Sequence, residues 1–186
     1  SPATVTLDVL GNLFRSEPSS QSQSGSGSFI NTSLRKDVGL VTSKGRILRV
    51  HVSDLPAMSA GVTTTASSAD KFLGLSGESV VGIAEWLSDA TYAIGTNNGV
   101  VKRLTGPFPD REEVEVIGLK EGDKIVAFAI AEDGSELCFV TSNANVLIFP
   151  AASVRPQGLS AGGMSGITAS NSRVISFGVV DSDTHL

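Results

Sequence analysis

Three arginines stand at one recurring position of this chain. Arg15, Arg49 and Arg103 each lie a few residues beyond a short turn, in segments that repeat one another, with Arg46 and Lys102 beside them. Guanidinium and ammonium groups in a regular row suit a phosphate backbone, because a repeat would set their donors at even steps along a curved duplex. A second reading stays open, since strand ends also carry Lys and Arg to block edge-to-edge pairing. The fourth repeat has Ile148 at this place, so the row would end there. Lys44, in a turn, and the pair Arg35-Lys36 read first as solvated charges and second as phosphate contacts.

Other chemistries lack a set of residues to carry them. His51 and His185 have no cysteine or carboxylate at the spacing of a zinc or catalytic site. Glu112, Glu113 and Glu115 read as a solvated acidic face rather than a metal site, and no metal is expected. Tyr92 falls on Leu137 and Val38 of neighbouring repeats, which makes it a core position rather than a nucleophile. Trp86 reads as packing, not as a stacking platform for a base. Cys138 lies inside a strand run and has no second cysteine to pair with, so a buried, reduced thiol is expected.

These residues are positioned by the repeat itself. The segment Gly77 to Leu104 lies over Gly122 to Phe149 without a gap, setting Thr96 on Thr141 and Asn98 on Asn143. Asp37 to Val50 repeats the second half of the unit, and Val5 to Arg15 does so more loosely. Each copy runs from β-branched and aromatic residues into a short polar turn and out along a second apolar run, which is the pattern of a hairpin. Gly11, Gly45 and Gly99 suit the positive φ such a turn needs. The fourth turn, Asn143-Ala144-Asn145, would have an asparagine take that place. Equivalent turns are 34, 54 and 45 residues apart, spacings that fit propeller-like sheets with variable connections. Ser172 to Asp183 reads as the opening strand of a fifth unit.

Composition agrees with an all-β chain. Among 186 residues there are 20 glycines and 7 prolines with only 5% aromatic content, and no window holds a 3.6-residue apolar period. No apolar stretch reaches the roughly 20 residues of a membrane span. Ser16 to Ser28, rich in Ser, Gln and Gly, reads as a mobile loop, and Ala57 to Ala69 as an extended connector. The chain opens on Ser1-Pro2 and stops in mid-pattern, so a piece of a longer protein is expected. Its formal charge of −5 is uneven: residues 1 to 60 hold six basic groups against four acidic ones. An anionic partner should prefer that part.

VTSKGRILRVHVSDLPA from Val41, IGTNNGVVKRL from Ile94, the long run from Leu119 to Gly158 and AGGMSGI from Ala161 together resemble the C-terminal domain of the A subunit of bacterial type IIA topoisomerases, DNA gyrase and topoisomerase IV. The resemblance covers most of the chain outside the Ser/Gln loop. It implies one domain over residues 1 to 186, an all-β β-pinwheel of about four blades here, whose sheets exchange strands and whose basic rim bends DNA. It also implies that Arg155 sits where relatives present basic groups. The Gln-Arg-Arg-Gly-Gly-Lys-Gly box of gyrase domains is absent, and Gln157-Gly158 with Ala161-Gly162-Gly163-Met164 keeps the glycines of an ordinary blade end without its basic residues. The resemblance therefore points to a topoisomerase IV-type or divergent gyrase-type domain with weak wrapping ability.

By the same resemblance the fragment is not an enzyme, because the DNA-cleaving tyrosine belongs to the N-terminal part of the parent polypeptide. The parent would be an ATP-dependent type II topoisomerase, with ATP and magnesium on the cleavage core and the B subunit and none here. Expected partners are duplex DNA and the B subunit, together with the rest of the A subunit, in an A2B2 assembly, with no membrane, in the bacterial cytoplasm at the nucleoid. A propeller-like scaffold for another polypeptide is the rival expectation.

Overall fold

The computed structural model describes residues 1–18, 27–58, 68–169 and 171–180. The centre of the expected mobile loop, most of the Ser/Thr/Gly connector, the end of the expected fifth unit and His185 lie outside the described residues.

Strands account for nearly all regular structure: β1 Pro2–Leu7, β2 Leu13–Ser16, β3 Ser28–Ser33, β4 Asp37–Thr42, β5 Arg46–His51, β6 Val80–Ala84, β7 Thr91–Thr96, β8 Val100–Thr105, β9 Glu113–Glu115, β10 Ile125–Ile130, β11 Glu136–Thr141, β12 Val146–Pro150, β13 Met164–Ser165 and β14 Val174–Val180. One helix of four residues, α1 Ala69–Phe72, and two 3-10 turns, Val52–Asp54 and Ala151–Ser153, complete the described elements. The chain divides into two compact units, the first holding Ser1–Thr42 and Ile47–Trp86, the second Ser43–Arg46 and Leu87–Leu186.

In the first unit β1 lies between β2 and β3, and β4 lies between β5 and β6, all antiparallel. Alternation along the strands turns Ala3, Val5, Leu7, Val38 and Leu40 into one core, closed by Leu13, Val52, Leu55 and Val80. In the second unit the strand orders are β10-β7-β8-β13 and β12-β11-β14. Its core joins Ala93 and Val101 to Leu137, Phe139, Ala151, Val154, Val174 and Phe177. Phe139 and Phe177 meet with ring centroids 4.8 Å apart, and each buried ring contributes about 1.5–3 kcal/mol. Gly95 is required by this packing, since a Cβ there would stand 2.2 Å from Cγ of Phe177. Tyr92 is fully buried, stacks on Phe128 and accepts the Leu87 N–H at 2.8 Å, so its hydroxyl is a structural acceptor.

The repeat of the sequence and the sheets of the structure are out of step. β6, β10 and β14 open sequence repeats, yet each pairs with the hairpin of the repeat before: β6 with β4, β10 with β7, β14 with β11. The segment expected to open a fifth unit thus supplies β14, which completes the fourth sheet. In all three pairings a bulge falls where the incoming strand meets the end of the hairpin, and there Val80, Ile125 and Val174 lie opposite Thr42, Thr96 and Thr141.

Those threonines build the turns. Thr96 Oγ1 accepts the Val100 N–H and Thr141 Oγ1 the Asn145 N–H, each at 3.1 Å, while their carbonyls accept from Gly99 and Ala144. Gly45 and Gly99 have φ of +91° and +87° and are buried, because their carbonyls accept N–H groups of following segments: Val116 for Gly45, Gly166 and Ile167 for Gly99. In the fourth turn it is Ala144, not an asparagine, that takes the left-handed conformation, at φ +65°. The turn is numbered by its threonine, and Ala144 is the residue three beyond it.

A left-handed alanine costs about 1–2 kcal/mol before the entropy of a more flexible glycine is set against it. Ala144→Gly is therefore expected to stabilise the chain by about 0.5–1 kcal/mol in urea unfolding. Gly99→Ala, whose Cβ would fall 2.1 Å from the Ile167 carbonyl oxygen, should cost about 2 kcal/mol or more.

Candidate nucleic-acid interface

β8 reads Val-Val-Lys-Arg-Leu-Thr, and consecutive residues of a strand face opposite sides. Lys102 and Arg103 must therefore enter different layers. Lys102 is 1% exposed, and its three ammonium protons meet three carbonyls: Val116 at 2.8 Å, Leu159 at 2.9 Å and Ala161 at 2.8 Å. Burial lowers its pKa to about 8, against the opposing pull of Glu115. Arg103 is 2% exposed. Its Nε donates to the Val154 carbonyl at 2.8 Å, one terminal nitrogen to the Ala131 carbonyl at 3.2 Å, and the other to Oδ1 of Asp133 at 2.9 Å. Asp133 is the solvent side of this pair, 82% exposed.

Neither cation is placed to meet a phosphate as the sequence suggested. Taking either out of its cage would leave buried carbonyls unpaired, at about 1–3 kcal/mol each. For two of the three recurring arginines the recurrence has a structural cause, which Arg15 repeats in the first unit. Its Nε donates to the Leu55 carbonyl at 3.0 Å, as that of Arg103 does to Val154. Leu55 and Val154 each directly follow a 3-10 turn. The backbones match too: Met58 N–H donates to Arg15 and Gln157 N–H to Arg103, each at 2.8 Å, through parallel bridges at Ala57 and Pro156. Each arginine pins the segment that leaves the following hairpin.

Arg49 and Arg46 are half-buried in ion pairs. Arg49 Nε stands 3.4 Å from Asp37 Oδ2, and the other oxygen of Asp37 meets His51 Nδ1 at 2.8 Å, because Asp37 and His51 face each other across the β4–β5 hairpin. Arg46 reaches Glu113 Oε1 at 2.6 Å. Of the cations singled out from the sequence, those exposed to solvent are Arg35 and Lys36, in the turn from β3 to β4, Lys44, and Arg155; Lys71, Arg111, Lys120, Lys124 and Arg173 are exposed as well. Arg155 lines an open recess of about 700 Å³ together with Arg103, Glu132 and Asp133. Cations ranked lower from sequence are thus the accessible ones.

One further reading changes with the structure. Cys138 is partly exposed on β11 rather than buried. Ile148, at the arginine position of the fourth repeat, is 53% exposed, and Val146 on the same face of β12 is 60% exposed. Among the described residues no group of three His, Cys, Asp or Glu side chains could hold a metal ion, and no helix is long and apolar enough to cross a membrane. Sequence reasoning missed Asp133 as the carboxylate partner of Arg103 and Gln157 as a residue whose N–H meets the Arg103 main-chain carbonyl, for no spacing marks them. The side chain of Gln157 accepts the Gly163 N–H at 2.9 Å.

The profile of the family described as DNA gyrase C-terminal domain, beta-propeller, matches residues 37–65, 114–132 and 135–181. The DNA gyrase A protein of Aminobacterium colombiense is 32% identical over 147 residues, which are 73% of this chain and 17% of that protein. The DNA gyrase A protein of Mycobacterium tuberculosis is 28% identical over 156 residues, 78% of this chain and 18% of its own length. The chain thus spans less than a fifth of these curated relatives. Among solved structures, the C-terminal domain of DNA topoisomerase IV superposes with TM-score 0.79 at 19% identity, over 98% of this chain and 62% of that one. The E. coli ParC C-terminal domain gives 0.70 at 16%, covering 97% and 80%, and the DNA gyrase A C-terminal domain 0.64 at 14%, covering 95% and 64%. The fold shared with them is the all-β β-pinwheel.

Lys102 makes stability depend on pH in a definite sense. With its pKa near 8 when folded and near 10.5 when unfolded, the unfolded chain binds more protons between these values, so stability contributed by this group rises from about pH 8 to 10.5. Lys102→Met should lose about 3 kcal/mol or more at pH 7, because three carbonyls lose their partner. In a pH series of urea melts, the difference between wild type and variant should grow over that window.

Proposed function

The chain belongs to the DNA gyrase C-terminal domain family, and from that membership we propose that it is a non-catalytic module that contacts and bends duplex DNA. What carries the reading is the exposure of Arg35, Lys36, Lys44 and Arg155, each free of a buried carbonyl cage and open to a phosphate. Phosphate contacts fix position without reading bases, so binding has little sequence preference. Arg49 and Arg46, half-buried in ion pairs, contribute where a phosphate competes with their carboxylates. Arg15, Lys102 and Arg103 serve the binding surface indirectly, by holding the segments they pin.

In the parent, this module steers a duplex segment toward the cleavage core of an ATP-dependent type II topoisomerase. The parent's cleavage tyrosine, ATP and magnesium belong to other domains and to the B subunit of an A2B2 assembly in the bacterial cytoplasm. A second reading, a scaffold for another polypeptide, draws on Val146 and Ile148, whose counterparts Val101 and Arg103 one repeat earlier are covered. It predicts binding that persists at high salt.

Fluorescence anisotropy with a labelled random-sequence duplex across a salt series tests the first reading. Each phosphate contact contributes about −0.9 to the log–log slope. Arg35→Ala with Lys36→Ala should flatten the slope by about two units and weaken binding alike on unrelated sequences. No binding at low salt would sink the DNA reading and leave the scaffold.

A further inference from the structure

Lys102 and Arg103 send their hydrogen bonds to opposite ends of one outer segment. Arg103 Nε holds the carbonyl of Val154, which is the peptide that leads directly into Arg155. Its own carbonyl takes the Gln157 N–H at 2.8 Å, two residues past Arg155. From the other face of β8, Lys102 holds the carbonyls of Leu159 and Ala161. The segment is then sewn on by Gln157 to Gly163, and by β13, where Met164 pairs with Val101. Arg155 is the exposed cation between these fixed points, and Arg103 also occupies Asp133, an acidic group of the recess that Arg155 lines.

We propose that Lys102 and Arg103 are positioning residues for DNA contact: buried themselves, they clamp residues 154–161 along β8 so that Arg155 is presented to a phosphate at one fixed place. The proposal rests on the phosphate-contact reading above. A free arginine loses rotamer and backbone freedom when it is ordered on binding, and a clamped peptide has already lost the backbone share of it. The two adjacent cations thereby raise affinity without touching DNA. Charge conservation at these sites is not enough, because a lysine at position 103 cannot span the acceptors that a planar guanidinium holds.

The experiment is a double-mutant cycle on the whole chain, read by duplex anisotropy at low salt and by hydrogen exchange of the segment. Arg155→Ala should weaken binding about threefold to tenfold and flatten the salt slope by about one unit. Arg103→Lys, which keeps the charge, should weaken binding by a comparable factor, speed exchange at the Gln157 and Gly163 amides, and add nothing in the Arg155→Ala background. Gln157→Ala leaves both cations in place and loosens the same segment, so it gives the same test if Arg103→Lys does not fold. Additive losses, or wild-type binding by a variant whose segment exchanges faster, would overturn the positioning role and leave phosphate contact standing. Unchanged binding for Arg155→Ala beside a loss for Arg35→Ala with Lys36→Ala would do the same. If neither changes binding, the phosphate reading itself fails.

Discussion

A cation taken into a sheet is tolerated only when each of its nitrogens meets an acceptor, and the second unit is arranged around that constraint. An ammonium or guanidinium away from water costs several kcal/mol unless its protons are paired. On β8, Lys102 and Arg103 meet it with three partners each, and five of the six are backbone carbonyls. Carbonyls of loops have no strand neighbours of their own, so the same bonds remove two problems at once. The loops at 116–117, 131–133 and 154–161 are thereby fixed relative to β8. The short β13 can add two residues of pairing to β8 only because the chain before it is already held there.

The same device recurs at smaller scale. A hairpin turn is ordinarily a solvent-facing feature, yet Gly45 and Gly99 are buried because the carbonyl beyond each left-handed residue receives an N–H from a later segment. Buried threonines at 42, 96 and 141 stand opposite an incoming aliphatic residue at each bulge. Pairing of β6, β10 and β14 with the preceding hairpin follows from what a two-stranded ribbon lacks. Its first strand has one unpaired edge, and the next stretch of chain with alternating apolar residues is the strand that opens the following repeat. Repeats in the sequence therefore share their sheets, and no single repeat could be removed without unpairing its neighbour.

The hairpins, their turns and the all-β class were legible in the sequence because they depend on local order: glycine at the left-handed position and alternation on either side. The exchanged strands were not legible from periodicity, since Val80 to Ala84 has the same pattern whichever hairpin it joins. The cations show where composition misleads. Lys102 and Arg103 are adjacent in a strand flanked on both edges, so one of them had to face inward whatever the other did, and that signal was present in Val-Val-Lys-Arg-Leu. Their carbonyl partners were not, because a main-chain oxygen has no signature in the sequence. Asp37 and His51 could have been paired by counting back from Gly45 along the register. Ala144 was legible in position but not in conformation, since its neighbours are both asparagines, the residues that usually take that geometry.

Sorting the cations by burial alters what the formal charge of −5 means for an anionic partner. Lys102 and Arg103 count in that sum, but their field is directed at carbonyls and at Asp133, and Arg46 and Arg49 are each drawn to a carboxylate. At physiological ionic strength a charge is screened beyond about 8 Å, so a phosphate responds to its immediate neighbours and hardly to the total. Arg35 and Lys36 are adjacent exposed cations, followed by Asp37, whose carboxylate is drawn to Arg49 and His51. Near Arg155 the neighbours include Glu132 and Asp133, of which Asp133 is held in an ion pair by Arg103. The total charge therefore does not decide how the chain meets an acidic ligand; the exposed cations and the carboxylates beside them do.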